Sequence, residues 1–194
     1  MTVDPRQART SAALRAALVR LLSAQPLESI TVSQLCREAG VHRTTFYKHA
    51  DRVDAFAVGI LAEEIDRLAT VDDDVSSGER AARAYHSATR RLMAALVEHR
   101  DIYRALFASS AAGALNAALR HRIRERARIA LDDVAAAGVM GAPRGERDQE
   151  EAAAYLAGGI AGLLEEWIHE DDIDVDAAEG RLFRLMPAWW PGVP

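Results

Sequence analysis

The tightest constraint on what this chain can fold into lies in residues 31–49, TVSQLCREAGVHRTTFYKH. Thr31 followed three residues later by Gln34 is a capping-box pattern, in which the threonine hydroxyl satisfies an orphaned backbone N–H, so a helix is predicted to begin at Val32. Gly40 ends it, because glycine takes the left-handed conformation at a helix C-terminus without a Cβ penalty. Val41 then opens a tight turn into a second short helix over residues 43–49. Two short helices joined by a glycine-containing turn are a helix-turn-helix.

The two faces of this unit differ in chemistry. Leu35, Ala39, Val41 and Phe46 are its apolar positions and can converge on one small core that fixes the angle between the helices. Arg43, Thr44, Tyr47, Lys48 and His49 occupy the other face, offering donors, positive charge and an amphipathic ring to phosphates and base edges in a major groove. Lys48 is the one lysine of the sequence, whose other basic side chains, histidines aside, are all arginines. Cys36, the single cysteine, excludes an internal disulfide; beside Leu35 and Ala39 it reads as a small core side chain, with a redox switch promoted by Arg37 as the alternative.

Charge distribution supports the DNA-facing reading. The whole chain carries a net −5, which by itself argues against nucleic acid. Residues 1–54, however, hold eight Arg or Lys against five Asp or Glu, a balance of +3 that leaves −8 for the remainder. A basic end on an acidic body suits a DNA reader joined to a domain that does not bind DNA.

Around this unit the apolar periodicity is helical throughout, so an all-α fold is expected. A first helix over residues 10–24, stopped by Pro26, covers the helix-turn-helix, and Arg6 and Arg9 lie in a polar segment ahead of it that could reach toward DNA. A fourth helix over residues 52–69 acts as a lever, followed by the acidic loop TVDDDVSSG at residues 70–78. Further helices are predicted over residues 79–98, 101–109, 112–137, 149–169 and 176–186. Residues 1–52 are the expected DNA-binding domain, and residues 53–194 the helical effector-binding and dimerisation domain.

The pattern T-V-x-x-L-x-x-x-A-G-V-x-x-x-T-F-Y-x-H resembles the DNA-binding signature of the TetR (AcrR-type) transcriptional regulators, over about the first quarter of the chain. By that resemblance Thr31 touches a phosphate, Arg43, Thr44 and Lys48 face the groove, and Tyr47 and His49 contact backbone phosphates, with Thr45 and Arg52 completing the set. His42, Ala50 and Val53 depart from the usual pattern, and Arg52 stands beside the position where a lysine commonly grips phosphate. The resemblance further implies a small-molecule effector inside the C-terminal helices, with His86, Arg90, Met93, Tyr103, Phe107, Tyr155 and Trp167 as candidates by residue type. It also implies a homodimer through the last two helices, where Ala154, Ala157, Gly158, Ala161 and Gly162 would admit a close helix approach.

Other chemistries find little support. The acidic run from His169 to Asp176 fails as a calcium loop, with Ala177 and Phe183 at the positions that require glycine and glutamate, and reads instead as a cap on the last helix. No catalytic, nucleotide-binding or zinc spacing occurs, so no enzyme, metal or cofactor is expected. No apolar run reaches bilayer length and residues 1–10 lack a signal-peptide core, which points to the cytoplasm and away from membranes. The expected function is a ligand-responsive repressor bound as a dimer to a pseudo-palindromic double-stranded DNA operator. A helical protein-interaction or architectural module, or an enzyme without a recognisable motif, is the alternative.

Overall fold

In the computed structural model, which describes residues 5–71 and 76–190, the apolar periodicities close into nine α-helices among the described residues, with no strand. They are α1 (Pro5–Leu22), α2 (Val32–Ala39), α3 (Arg43–Phe46), α4 (Val53–Leu68), α5 (Gly78–Glu98), α6 (Arg100–Phe107), α7 (Ala112–Ala136), α8 (Glu146–His169) and α9 (Val175–Leu185). The helices gather into two compact units: Met1–Leu61 with Asp101–Asn116, and Ala62–Arg100 with Ala117–Pro194. The helix-turn-helix lies in the first, and α4 contributes residues to both.

The first unit is built on α1, which buries Leu14, Ala17, Leu18 and Leu22 and packs on α2. Leu35 and Phe46 are fully buried, and the Phe46 ring stands edge-on to Phe56 at 5.6 Å between centroids. On the outside, Arg20 Nε donates to Glu38 Oε1 at 2.7 Å and Arg20 Nη2 to the Glu38 carbonyl at 3.3 Å. This pair is exposed and contributes no more than about 1 kcal/mol, so the apolar seam carries the packing.

Three local features differ from the sequence reading. The helix α1 starts at Pro5, so Arg6 and Arg9 ride its first turns instead of forming an arm ahead of it; the Thr10 hydroxyl donates to the Arg6 carbonyl at 3.0 Å. No glycine or proline interrupts residues 6–25, so nothing there breaks the helix. A 3₁₀ turn at Leu27–Ser29 follows, burying Leu27 and placing the Glu28 carboxylate where it accepts from the Ser110 N–H at 2.5 Å. That backbone donor holds the Glu28 carboxyl below the usual carboxylate range, so the tie is present at neutral pH and is lost only as pH falls through the lowered value. Finally, α3 ends at Phe46, yet the chain keeps turning: Lys48 N–H donates to Thr45 O at 3.2 Å and His49 N–H to Phe46 O at 2.7 Å. These i to i+3 bonds tighten the last turn over the stretch expected as helix.

The second unit packs Ala81, Tyr85, Ala130, Leu131, Val134, Leu156, Phe183 and Trp190 into one core. Ser77 caps α5 by accepting from the Arg80 N–H at 3.3 Å. Asp174 Oδ1 caps α9, accepting from Asp176 N–H at 2.9 Å and Ala177 N–H at 3.2 Å, so this carboxylate of the acidic run serves as a helix cap. Among the described residues no helix is long and apolar enough to cross a membrane.

Candidate nucleic-acid interface and ligand cavity

The helix-turn-helix is fixed at both ends of its first helix. The Thr31 hydroxyl accepts from the Gln34 N–H at 3.2 Å, and Gly40 sits at φ +67°, turning the chain toward α3. His42 precedes α3 in an extended conformation without a side-chain cap, so α3 is held by packing beneath it. Phe46 supplies that packing and thereby sets which way the neighbouring side chains point.

Thr31, Arg43, Thr44, Tyr47, Lys48 and Arg52 are exposed, while Thr45 and His49 are half-buried. Two of the cations are already engaged. Arg43 Nη2 donates to Tyr47 Oη at 3.1 Å, and the guanidinium lies 5.9 Å from the centre of that ring. Arg52 makes a two-pronged pair with Asp54, Nε to Oδ1 at 3.0 Å and Nη2 to Oδ2 at 2.7 Å, while Asp54 Oδ1 also accepts from the Ala55 N–H. Exposed pairs of this kind contribute about 0–1 kcal/mol, so a phosphate can displace Asp54 at small cost. The result is a polar, cationic surface laid over an apolar floor.

Cys36 belongs to that floor, at 3% exposure. Burial pushes its thiol above the ordinary range, against the opposing field of Arg43, which disfavours the reactive thiolate. A thiol reagent at neutral pH should therefore leave the folded protein unmodified and label Cys36 fully in denaturant; rapid labelling of the native chain would contradict a core role.

A cavity of about 100 Å³ opens inside the second unit. Its walls are Ile65 and Ala69 beside Tyr85, Ala88, Thr89, Leu92 and Met93 of α5, Ile123, Arg126, Ala127 and Ala130 of α7, and Leu156, Ile160, Leu182 and Trp190. Of the seven effector candidates chosen from the sequence, Met93 lines it. His86 stacks on Phe183 at 3.6 Å and its Nδ1 lies 3.5 Å from Glu179 Oε1. Arg90 reaches Asp176 at 2.5 Å and Glu179 at 3.2 Å, so both side chains knit α5 to α9. Trp167 is buried beneath the Arg181 guanidinium, and Tyr155 is 65% exposed on α8. Tyr103 and Phe107 lie on α6 in the first unit.

Sequence reasoning passed over Tyr85, Thr89, Arg126 and Trp190. The signal available for Trp190 was the adjacent Trp189-Trp190 pair soon after Pro187, too apolar to be left in solvent behind the last helix.

On α8 the small residues divide. Ala157 and Ala161 are buried within the chain, whereas Ala154, Gly158 and Gly162 are exposed. A methyl group added at Gly158, Gly159 or Gly162 would meet nothing within 4 Å. Packing within the single chain therefore gives no reason for three glycines in mid-helix, each costing up to about 1 kcal/mol of helix stability.

No family model and no curated protein matches the sequence. Solved structures match its shape over almost its full length. The dihydroxyacetone kinase operon activator DhaS superposes with a TM-score of 0.64 at 16% identity, covering 91% of this chain and 93% of its own. The fatty acid degradation regulator FadR from Bacillus halodurans gives 0.64 at 14% identity, covering 100% and 98%. A TetR transcriptional regulator from Rhodococcus sp. RHA1 gives 0.56 at 17% identity, covering 93% and 94%. The chain thus shares an all-α fold with these proteins, a helix-turn-helix followed by a helical body. It is the fold of the TetR transcriptional regulator from Rhodococcus sp. RHA1.

Proposed function

We propose that the chain is a sequence-specific transcriptional regulator of the TetR family, acting in the cytoplasm as a ligand-responsive repressor on double-stranded DNA. The observation that carries this reading is the polar face of α3, Arg43, Thr44, Tyr47 and Lys48, held outward over the fully buried Phe46. Residues 1–52 serve as the DNA-binding domain and residues 53–194 as the effector-binding and dimerisation domain. The unfilled space above Gly158 and Gly162 supports a second copy of the chain as the partner, with Ala154 at the same exposed surface and Ala157 and Ala161 turned into the protomer. Such a dimer presents two recognition helices to half-sites roughly 34 Å apart.

The helix α4 supports a route for the response. It carries Phe56, against Phe46 of the reading head, and nine residues later Ile65, on the cavity wall. An effector that binds two positions of α4 unequally shifts the separation of the recognition helices and so the operator affinity.

The roles separate experimentally. Lys48→Ala and Thr44→Ala should change the preferred bases, each lost base contact being worth about 1–3 kcal/mol of discrimination. Arg52→Gln should weaken binding to every sequence alike and reduce the salt slope by about one phosphate contact. Base preference unchanged in both Lys48→Ala and Thr44→Ala would remove those residues from the readers.

A further inference from the structure

We infer that Arg43 reads a guanine in the major groove and that Tyr47 is its positioning residue, holding the guanidinium in place for that base. The inference rests on the regulator reading and names the base that one residue of the polar face selects.

The backbone brings the two side chains together. Tyr47 N–H donates to the Arg43 carbonyl at 3.1 Å, an i to i+4 step that sets both residues on one face. Both are exposed, and Arg43 Nη2 donates to Tyr47 Oη at 3.1 Å, with the guanidinium carbon 5.9 Å from the ring centre. The tyrosine is anchored in turn, because its ring stands edge-on to the fully buried Phe46 at 5.7 Å. A long arginine side chain loses much rotamer freedom when it docks on a partner. Here a neighbour standing on the core has already restricted it.

Charge and donor count choose the target. Among the described residues no carboxylate pairs with Arg43, whereas Arg52 is matched by Asp54. Its positive charge is left for DNA. Of the five guanidinium N–H groups the tyrosine takes one, and a two-pronged edge remains whichever Nη2 hydrogen it uses. Arginine donates and never accepts, so that edge needs two acceptors side by side. In the major groove guanine offers them at O6 and N7, while adenine sets a donor beside its one acceptor. Phosphate oxygens accept the same edge but carry no sequence information, which makes base preference the deciding readout. The Tyr47 hydroxyl, having accepted from Arg43, keeps its own proton, so a phosphate contact by the tyrosine is compatible with its hold on the arginine.

Selection from random duplex DNA by the full chain and by its Arg43→Gln variant tests the base. The parent is expected to enrich a guanine at one position of each half-site. Arg43→Gln should lose that guanine, in favour of the adenine whose donor and acceptor an amide matches, and keep the other preferences. Loss of the guanine supports the assignment whatever base replaces it, and its retention would overturn it. The selected duplex, and a copy with that G·C pair changed to A·T, are then titrated with the parent and with Tyr47→Phe, which removes one oxygen and keeps the ring on Phe46. The parent should prefer the guanine duplex by about tenfold or more. Tyr47→Phe should cut that ratio by about threefold or more, and should change it no further once Arg43 is glutamine. Equal weakening on both duplexes, with the ratio intact, would overturn the positioning role. An enriched site indifferent to Arg43→Gln defeats this inference alone, and a pool without enrichment from the folded parent defeats the regulator reading and this inference with it.

Discussion

Replacing Phe46 with alanine is expected to destabilise the protein by about 3–5 kcal/mol and to abolish operator binding. Its ring is fully buried, edge-on to Tyr47 at 5.7 Å and to Phe56 at 5.6 Å, so removal leaves a void where α3 meets the start of α4. A loss of that size is a large fraction of the 5–15 kcal/mol typical of a whole domain. Because α3 is a single helical turn without a side-chain cap, the buried Phe46 ring is the anchor beneath the face that carries Arg43 and Thr44. Denaturant unfolding and duplex-binding titrations measure the two effects. A variant with unchanged midpoint and unchanged affinity would show that the reading face does not depend on this floor.

The second large effect is expected at α8. Leucine at both Gly158 and Gly162 should leave each protomer as helical as before, since nothing in the chain lies within 4 Å of an added Cβ and leucine improves helix propensity by up to about 1 kcal/mol per site. The same side chains would fill the space a partner helix needs. Sedimentation should therefore report a monomer, and operator affinity should fall by about a hundredfold or more as two linked half-site contacts become one. A double variant that still sediments as a dimer would place the interface elsewhere. Circular dichroism separates either outcome from misfolding.

The parts of the molecule read from sequence are those decided by neighbours along the chain. Thr31 and Gln34 lie within one turn, and Gly40 adopts φ +67° for the local reason that made it recognisable. The long helices followed from apolar spacing, and α5, α7 and α9 begin and end within a residue or two of their expected bounds. Boundaries depart from the apolar spacing where no local rule acts: α1 begins at Pro5, and the second motif helix ends at Phe46 with a tightened turn beyond it.

The cavity was the least legible element, and the cause is physical. Its wall is assembled from side chains far apart in sequence, from Ile65 to Trp190, and most are apolar residues indistinguishable by type from ordinary core. Conspicuous residues misdirect in such a setting. His86 and Arg90 carry polar groups suited to a ligand, yet Glu179 and Asp176 on the facing helix engage them first. Trp190 joins the wall only once the tail after α9 has packed, which no local pattern announces.

Selection of random duplexes by the purified protein, repeated across salt concentrations, tests sequence-specific recognition of DNA most directly. The predicted result is an enriched pseudo-palindrome with half-sites about one helical turn apart, its affinity falling with salt while its base preferences persist. Binding without any enriched sequence, or no binding by a fully folded protein, would contradict it.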